Sequence, residues 1–259
     1  MTKTAEMMLD EDEVRAMINA CMSSRDRALI ATLYEGGFRI EEIGTLTWSQ
    51  VKIDDYGIII NVDKKTERPR YVRLVAATPY FIQWRNDYPY AIASDGLVFT
   101  SRKNLPLRYE GIALQLKKIA ARAGLKKRIT PHLFRHSRIT TMVQQGYNET
   151  IIKKVMWGNL HTGMFETYCH LSDTDVDNEI LAKQGIKRKD EKKQRAMEPR
   201  QCPYCSSVNA PTDQFCSVCF KPLTEEMDLS LEQIMLKIEK TPEFAKIIEM
   251  VRRTTSIPG

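Results

Sequence analysis

No apolar run in this 259-residue sequence approaches the ~20 residues that a helix needs to cross a bilayer. The N-terminus, MTKTAEMMLDEDEV, turns acidic within ten residues and lacks a long apolar stretch and a small-residue cleavage site, so it does not read as a secretory signal. There is no internal repeat. Cysteine is limited to six residues, and four of them form the close pairs Cys202/Cys205 and Cys216/Cys219, a spacing that favours metal over disulfides in a reducing compartment. A cytoplasmic protein is expected, with no membrane partner. Hydrophobic residues make up 42% and charged residues 28%, a balance that excludes a fibre or a disordered chain and predicts one sizeable core plus a small appendage. The net charge of +6 is compatible with a polyanionic partner without establishing one.

Periodicity divides the chain. DEDEVRAMINACM places Val14, Met17, Ile18 and Cys21 at helical spacing after an acidic start, and RDRALIATLYEGG continues that pattern up to glycine. FRIEEIGTLTWSQV reads as a further helix. The period then changes, and YGIIINVDKK and RPRYVRLV predict a β-hairpin with a basic tip. Helical spacing returns in YFIQWRND, EGIALQLKKIAARAGLKK, the Pro-started TPHLFRHSRITTMVQQG, NETIIKKVMWG and the stretch around MFETYCHLS. Residues 183–195 hold seven Lys/Arg against two acids and almost nothing apolar, as a solvated linker does. In the tail, Ser230 with Gln233 makes a candidate capping box, and Thr241-Pro242 a candidate N-cap with proline at the first helical position. The expected fold class is mainly α with a small antiparallel sheet, followed by a small zinc-ribbon module.

Several polar residues stand inside apolar-patterned helices: Arg39, His132, Arg135, His136 and Tyr168. Two arginines offer permanently charged planar forks suited to phosphate, a lysine at a hairpin tip offers a movable proton donor, and a tyrosine offers an oxygen nucleophile. Taken singly, each has a plainer reading. Arg39 has Glu35, Glu41 and Glu42 as ion-pair partners, His132 caps or packs, Lys65 is a solvated turn residue, and Tyr168 is a half-buried aromatic.

The ordered set GGFRIEEIGTLTW, a lysine in a β-turn, HLFRH and WGNLHTGMFETYCHL resembles the catalytic domain of the tyrosine recombinases, the phage-integrase family, and looks most like its archaeal members. The resemblance covers roughly residues 9–182 and implies a catalytic domain over 1–182; charge, cysteine spacing and helical signatures then give 183–199 as basic linker, 200–224 as zinc ribbon and 225–259 as helical tail. By resemblance, Arg39 matches the first catalytic arginine and Glu42 the acid that follows it. Lys65, rather than Lys64, matches the hairpin lysine, His132 and Arg135 match the HxxR box, and Tyr168 matches the nucleophile. The position usually held by histidine or tryptophan is Asn159 here, with Trp157 two residues away as the alternative; asparagine donates a hydrogen bond but exchanges no proton at neutral pH. His136, His161 and His170 are left without a role. Family members usually carry a helical domain ahead of the catalytic one, whereas the first helical pattern here begins at residue 10.

What the resemblance implies is site-specific recombination on double-stranded DNA through a 3′-phosphotyrosyl link, with self-association on DNA, nucleoid localisation and no cofactor for catalysis. A type IB topoisomerase and a non-catalytic DNA-binding regulator are the alternatives. A narrow apolar stripe at Ile234, Ile238, Ile247, Ile248 and Val251 could dock on a neighbour or pack within its own chain. Cys202, Cys205, Cys216 and Cys219, as CPYC, ten residues and CSVC, predict a structural tetrahedral Zn2+ site. Cys21 and Cys169 read as packing residues.

Overall fold

Asp10 opens the first helix, α1 (Glu11–Asn19): its carboxylate accepts the Glu13 N–H at 2.8 Å while Glu13 accepts the Asp10 N–H at 3.0 Å, so the acidic start is a capping box. The computed structural model describes residues 8–62, 69–101, 103–168, 177, 180, 181, 183, 184, 197–239, 244 and 246. The chain divides into two units, residues 1–199 and 200–259.

In the first unit, α2 (Ser24–Gly36) is the central helix, buried along most of its length. It packs against α1, α4 (Thr78–Asn86) and α6 (Pro131–Gln144), while α5 (Tyr109–Arg122) and α7 (Glu149–Trp157) flank α6. The apolar positions read as core in α1 are buried, and so is Cys21. Burial pushes the Cys21 thiol up to about 12, and the thiol donates to the Met17 carbonyl, as befits a packing residue. Cys169 lies outside the described residues.

The stretch expected as one long helix from Phe38 to Val51 is instead broken. It forms α3 (Ile40–Gly44), a 3-10 turn at Trp48–Gln50 and a strand, β1 (Val51–Asp54). The tertiary contacts that override its periodicity are identifiable. A Cβ on Gly44 would lie 2.2 Å from the Leu107 carbonyl oxygen, Thr47 bridges to Leu97, and the Trp48 N–H donates to the Gly96 carbonyl at 3.0 Å. The expected hairpin is present as β2 (Gly57–Val62) and β3 (Arg70–Leu74), but β1 adds a third strand to make an antiparallel β1-β2-β3 sheet. Four residues of VKID are too few for alternation to announce a strand. Ile60 pairs with Val51 on one side and Val72 on the other, and the fully buried Ile58 and Ile60 place β2 in the core.

Two apolar clusters hold the helices. Phe81, fully buried on α4, meets Trp48 and Phe99 edge-on with ring centroids 5.9 and 6.0 Å away. Ile139, Met142, Ile152, Met156, Trp157 and Phe165 join α6, α7 and the 3-10 turn Gly163–Tyr168.

The second unit contains the two-stranded β4 (Arg200–Gln201) and β5 (Val208–Asn209), then α8 (Glu225–Glu239). Thr224 begins α8, its hydroxyl accepting the Met227 N–H at 3.4 Å, so Ser230 lies inside the helix and does not open a capping box with Gln233. Thr224 followed by Glu225 and Glu226 is a sufficient start signal upstream of it. Thr241-Pro242 lies outside the described residues, as do Ile247, Ile248 and Val251. Ile234 and Ile238 are exposed on α8. Among the described residues, no helix is long and apolar enough to cross a membrane.

Phe81→Ala removes a ring from a fully enclosed position, and a loss of about 3–5 kcal/mol of unfolding free energy is expected from chemical denaturation.

Candidate active site and metal centre

Arg39 is placed by a helix break. Gly37 ends α2 in the left-handed region at φ 58°, donating its N–H to the Leu33 carbonyl, and a side chain there would press on Met156 Sδ at 3.0 Å. Phe38 then plugs into the core and Arg39 emerges at the start of α3 with extended backbone. Glu42 turns back on it: one carboxylate oxygen accepts the Arg39 N–H at 2.6 Å, and the other accepts Arg39 Nη1 at 3.0 Å. Of the three acids available in the sequence, Glu42 is the partner found. Glu35 instead accepts the N–H groups of Val75, Ala76 and Ala77 ahead of α4.

Arg135 is reached from the other direction, along α6. Thr130 caps that helix and Pro131 starts it, which puts His132 on the exposed first turn and Arg135 in the interior. The Arg135 side chain donates Nη1 to the Gly37 carbonyl at 2.7 Å and Nη2 to the Met156 carbonyl, with its guanidinium carbon 5.6 Å from the Trp157 ring centroid. His132 and His136, one turn apart, meet edge-on at 4.1 Å between centroids.

One residue that sequence reading did not select joins this group. Arg70 opens β3, its side chain wholly buried, and its guanidinium donates to both oxygens of Glu42 and to the Val155 carbonyl at 2.8 Å. Its pKa is lowered by burial, with Glu42 acting in the opposite sense. The guanidinium carbon is 5.6 Å from the Phe38 ring centroid. The signal was present in the register: Arg70 is in phase with Val72 and Leu74, the inward positions of β3, so a charged residue there is a buried charge in need of a partner.

These contacts converge on the last turn of α7, whose final carbonyls have no partner within the helix. Gly158, in the left-handed region at φ 66°, donates to the Lys154 carbonyl, Arg70 donates to that of Val155, and Arg135 to that of Met156. Two guanidinium groups thus face the negative end of a helix dipole. Beyond it, Asn159 is half-buried and its side-chain oxygen accepts the His161 N–H at 3.0 Å. Trp157, the alternative to it, is buried in contact with Arg135. Phe165 is buried in the α6/α7 cluster and so fixes the backbone of the turn that ends at Tyr168. The Tyr168 side chain and Lys65, with its neighbour Lys64, lie outside the described residues. In the sequence both lysines fall between Val62 and Arg70, which pair across β2 and β3.

The chain as a whole is similar to known proteins. The phage integrase family model matches residues 7–175. The chain belongs to the phage integrase family. Transposase A from transposon Tn554 of Staphylococcus aureus is 29% identical over 199 residues, covering 71% of this chain and 54% of the transposase. Tyrosine recombinase XerC of Xanthomonas axonopodis pv. citri is 26% identical over 63% of this chain and 54% of its own length. Tyrosine recombinase XerA of Saccharolobus solfataricus is 24% identical over 67% and 55%. The chain spans about half the length of the curated relatives it matches. The crystal structure of XerA recombinase superposes with a TM-score of 0.58 at 22% identity, covering 72% of this chain and 67% of that one. The mainly helical architecture with its small antiparallel sheet is therefore the tyrosine recombinase fold.

The four close cysteines of the second unit form two similar knuckles. Ser206 and Phe220 follow them at the same φ of 59°, donating to the Cys202 and Cys216 carbonyls at 2.9 Å each. Fully buried Asn209 joins the knuckles, donating to the Ser207 carbonyl at 3.0 Å and accepting the Ser217 N–H at 2.9 Å. All four sulfurs lie within 4.8 Å of one another, with Cys202 to Cys219 at 3.5 Å and Cys205 to Cys216 at 3.6 Å. A tetrahedron of thiolates about 2.3 Å from zinc has edges of about 3.8 Å, so the set fits a metal ion of that size. Burial opposes ionisation of Cys216, but the N–H groups of Cys219 and Val218 and the Ser207 hydroxyl bring its pKa down to about 5. At Cys219 the Lys221 N–H favours the thiolate, yet burial and the neighbouring sulfurs push the pKa up to about 12. Sulfurs so close do not all ionise without a cation among them.

Replacing Arg135 strands two buried carbonyls at about 1–3 kcal/mol each. Arg135→Ala is therefore expected to lose several kcal/mol of stability in a denaturant titration, so its activity must be read alongside its folding.

Proposed function

We propose that this chain cleaves and rejoins double-stranded DNA at specific sites as a tyrosine recombinase, using Arg39, Lys65, His132, Arg135 and Tyr168, with Asn159 in a supporting role. The observation that carries this reading is the joint placement of Arg39 and Arg135, on opposite approaches to one loop and one helix end, in a chain of this family. Two such forks suit the non-bridging oxygens of a phosphodiester, where charge builds up during displacement. The Tyr168 oxygen forms a bond to phosphorus as the bond to the 5′ oxygen breaks, leaving a 3′-phosphotyrosyl link and a free 5′-hydroxyl. An ordinary tyrosine pKa of ~10 leaves little phenolate at neutral pH, so the phenol proton passes to His132, while Lys65 protonates the departing oxygen. The phosphotyrosyl ester retains the bond energy, and attack by another strand's hydroxyl completes the exchange without a catalytic cofactor. Self-association on DNA and a nucleoid location go with that reaction. XerH, which shares this fold with a TM-score of 0.56 at 20% identity, has been solved on its difH substrate after cleavage. Relatives from Staphylococcus, Xanthomonas and Saccharolobus match alike, so no archaeal source is assigned.

The same reading gives the second unit a structural Zn2+ held by Cys202, Cys205, Cys216 and Cys219 in a zinc ribbon. Four sulfur ligands complete the tetrahedron and leave no open coordination place for substrate. The ion would supply the small ribbon with a crosslink in place of a large core.

A nicked duplex drawn from a library of candidate sites should trap a denaturation-resistant adduct with the wild-type chain and none with Tyr168→Phe. Adduct formation by the Phe variant would show that the nucleophile lies elsewhere, and relaxation of supercoils without exchange between paired sites would favour the topoisomerase reading. For the metal, elemental analysis of protein purified without chelators should give about one zinc per chain. Chelation should melt residues 200–224 while the helical unit keeps its thermal transition; zinc-free protein with an intact ribbon would overturn the assignment.

A further inference from the structure

Arg70 has no part in the reaction as set out above, yet it is the most deeply buried charge beside Arg39. Glu42 is shared: its side chain is 4% exposed, it accepts from Arg39 on one side, and from Arg70 on the other. Arg39 is the exposed member of the trio at 44%, whereas Arg70 is held on three acceptor atoms at 0%. One carboxylate between two guanidinium groups leaves a net single positive charge. The buried, doubly bonded Arg70 is the better counter-ion for Glu42, because attraction strengthens as water is excluded. Arg39 therefore keeps its charge for an anion arriving from solvent while Glu42 fixes its orientation. We propose that Arg70 is a positioning residue that neutralises Glu42 and thereby leaves the Arg39 fork oriented and electrostatically available to the scissile phosphate. This rests on the recombinase reading.

Removing Arg70 should draw Arg39 inward as the remaining partner of a buried carboxylate. A displacement of that kind, near 1 Å, lowers rates by about 100-fold. With saturating protein on the nicked duplex that the wild-type chain converts to adduct, Arg70→Met is expected to slow adduct formation by about that factor while the concentration for half-maximal DNA binding stays near wild type. Arg70→Met combined with Glu42→Gln, which removes the anion that captures Arg39 while keeping one oxygen to accept from it, should recover part of the rate. Arg70→Lys, which keeps the charge but not the fork, should fall between. Thermal melts of each variant accompany the rates. No adduct from the wild-type chain overturns the recombinase reading and this proposal with it. A wild-type adduct together with any of four results overturns the proposal alone: an unchanged rate in folded Arg70→Met, equal losses of rate and affinity, no recovery in the double variant, or loss of the folded transition in both the Met and Lys variants.

Discussion

Two buried guanidinium groups hold the end of α7, and the rest of the first unit is arranged around that contact. A helix C-terminus presents carbonyl groups without partners, and water would satisfy them at the surface. Here the end is packed into the core through Met156 and Trp157, so Arg70 from β3 and Arg135 from α6 supply the donors. The same two residues reach back to the segment before α3, Arg135 to the Gly37 carbonyl and Arg70 through Glu42. Sheet, the end of the central helix and α7 are thereby fastened at one place, beside Arg39.

Burying two cations is expensive unless each hydrogen-bonding direction is used. Arg70 has Glu42 for charge and Val155 for a further bond; Arg135 has two backbone carbonyls and the faces of the helix dipole and Trp157. Such polar interiors specify geometry more than they add stability, since a carbonyl has directions and a methyl group does not. The four-cysteine cluster of the second unit follows the same logic with different groups. Its knuckles, tied by Asn209, set four sulfurs within 4.8 Å of one another in a segment with little apolar core.

Local patterns of the sequence translated well into local structure. The acidic start before Val14, the Thr130-Pro131 opening of α6 and the glycine ends of α2 and α7 each involve groups within a few residues, and their outcome hardly depends on the remainder of the chain. Where reading failed, a distant segment intervened. The helix expected through Trp48 is broken by contacts with Leu97, Gly96 and Leu107, and β1 exists because β2 offers it an edge. Arg70 was overlooked for the same reason, as its partners lie 28 and 85 positions away in the chain.

The sequence by itself determined the order of chemical groups and the composition of the two units: two arginines, a hairpin lysine, a histidine and a tyrosine in a family-like series, then two close cysteine pairs. Spacing along a helix or between knuckles is fixed by covalent geometry and can be read directly. Tertiary structure alone decided which acid serves Arg39, that Glu35 instead accepts the backbone N–H groups of Val75, Ala76 and Ala77 ahead of α4, that Trp157 is packed with Arg135, and that Arg70 joins Glu42 beside Arg39. Those choices are made by burial, because charges and carbonyls removed from water must find whichever partner the packing brings within about 3 Å, whatever its place in the chain.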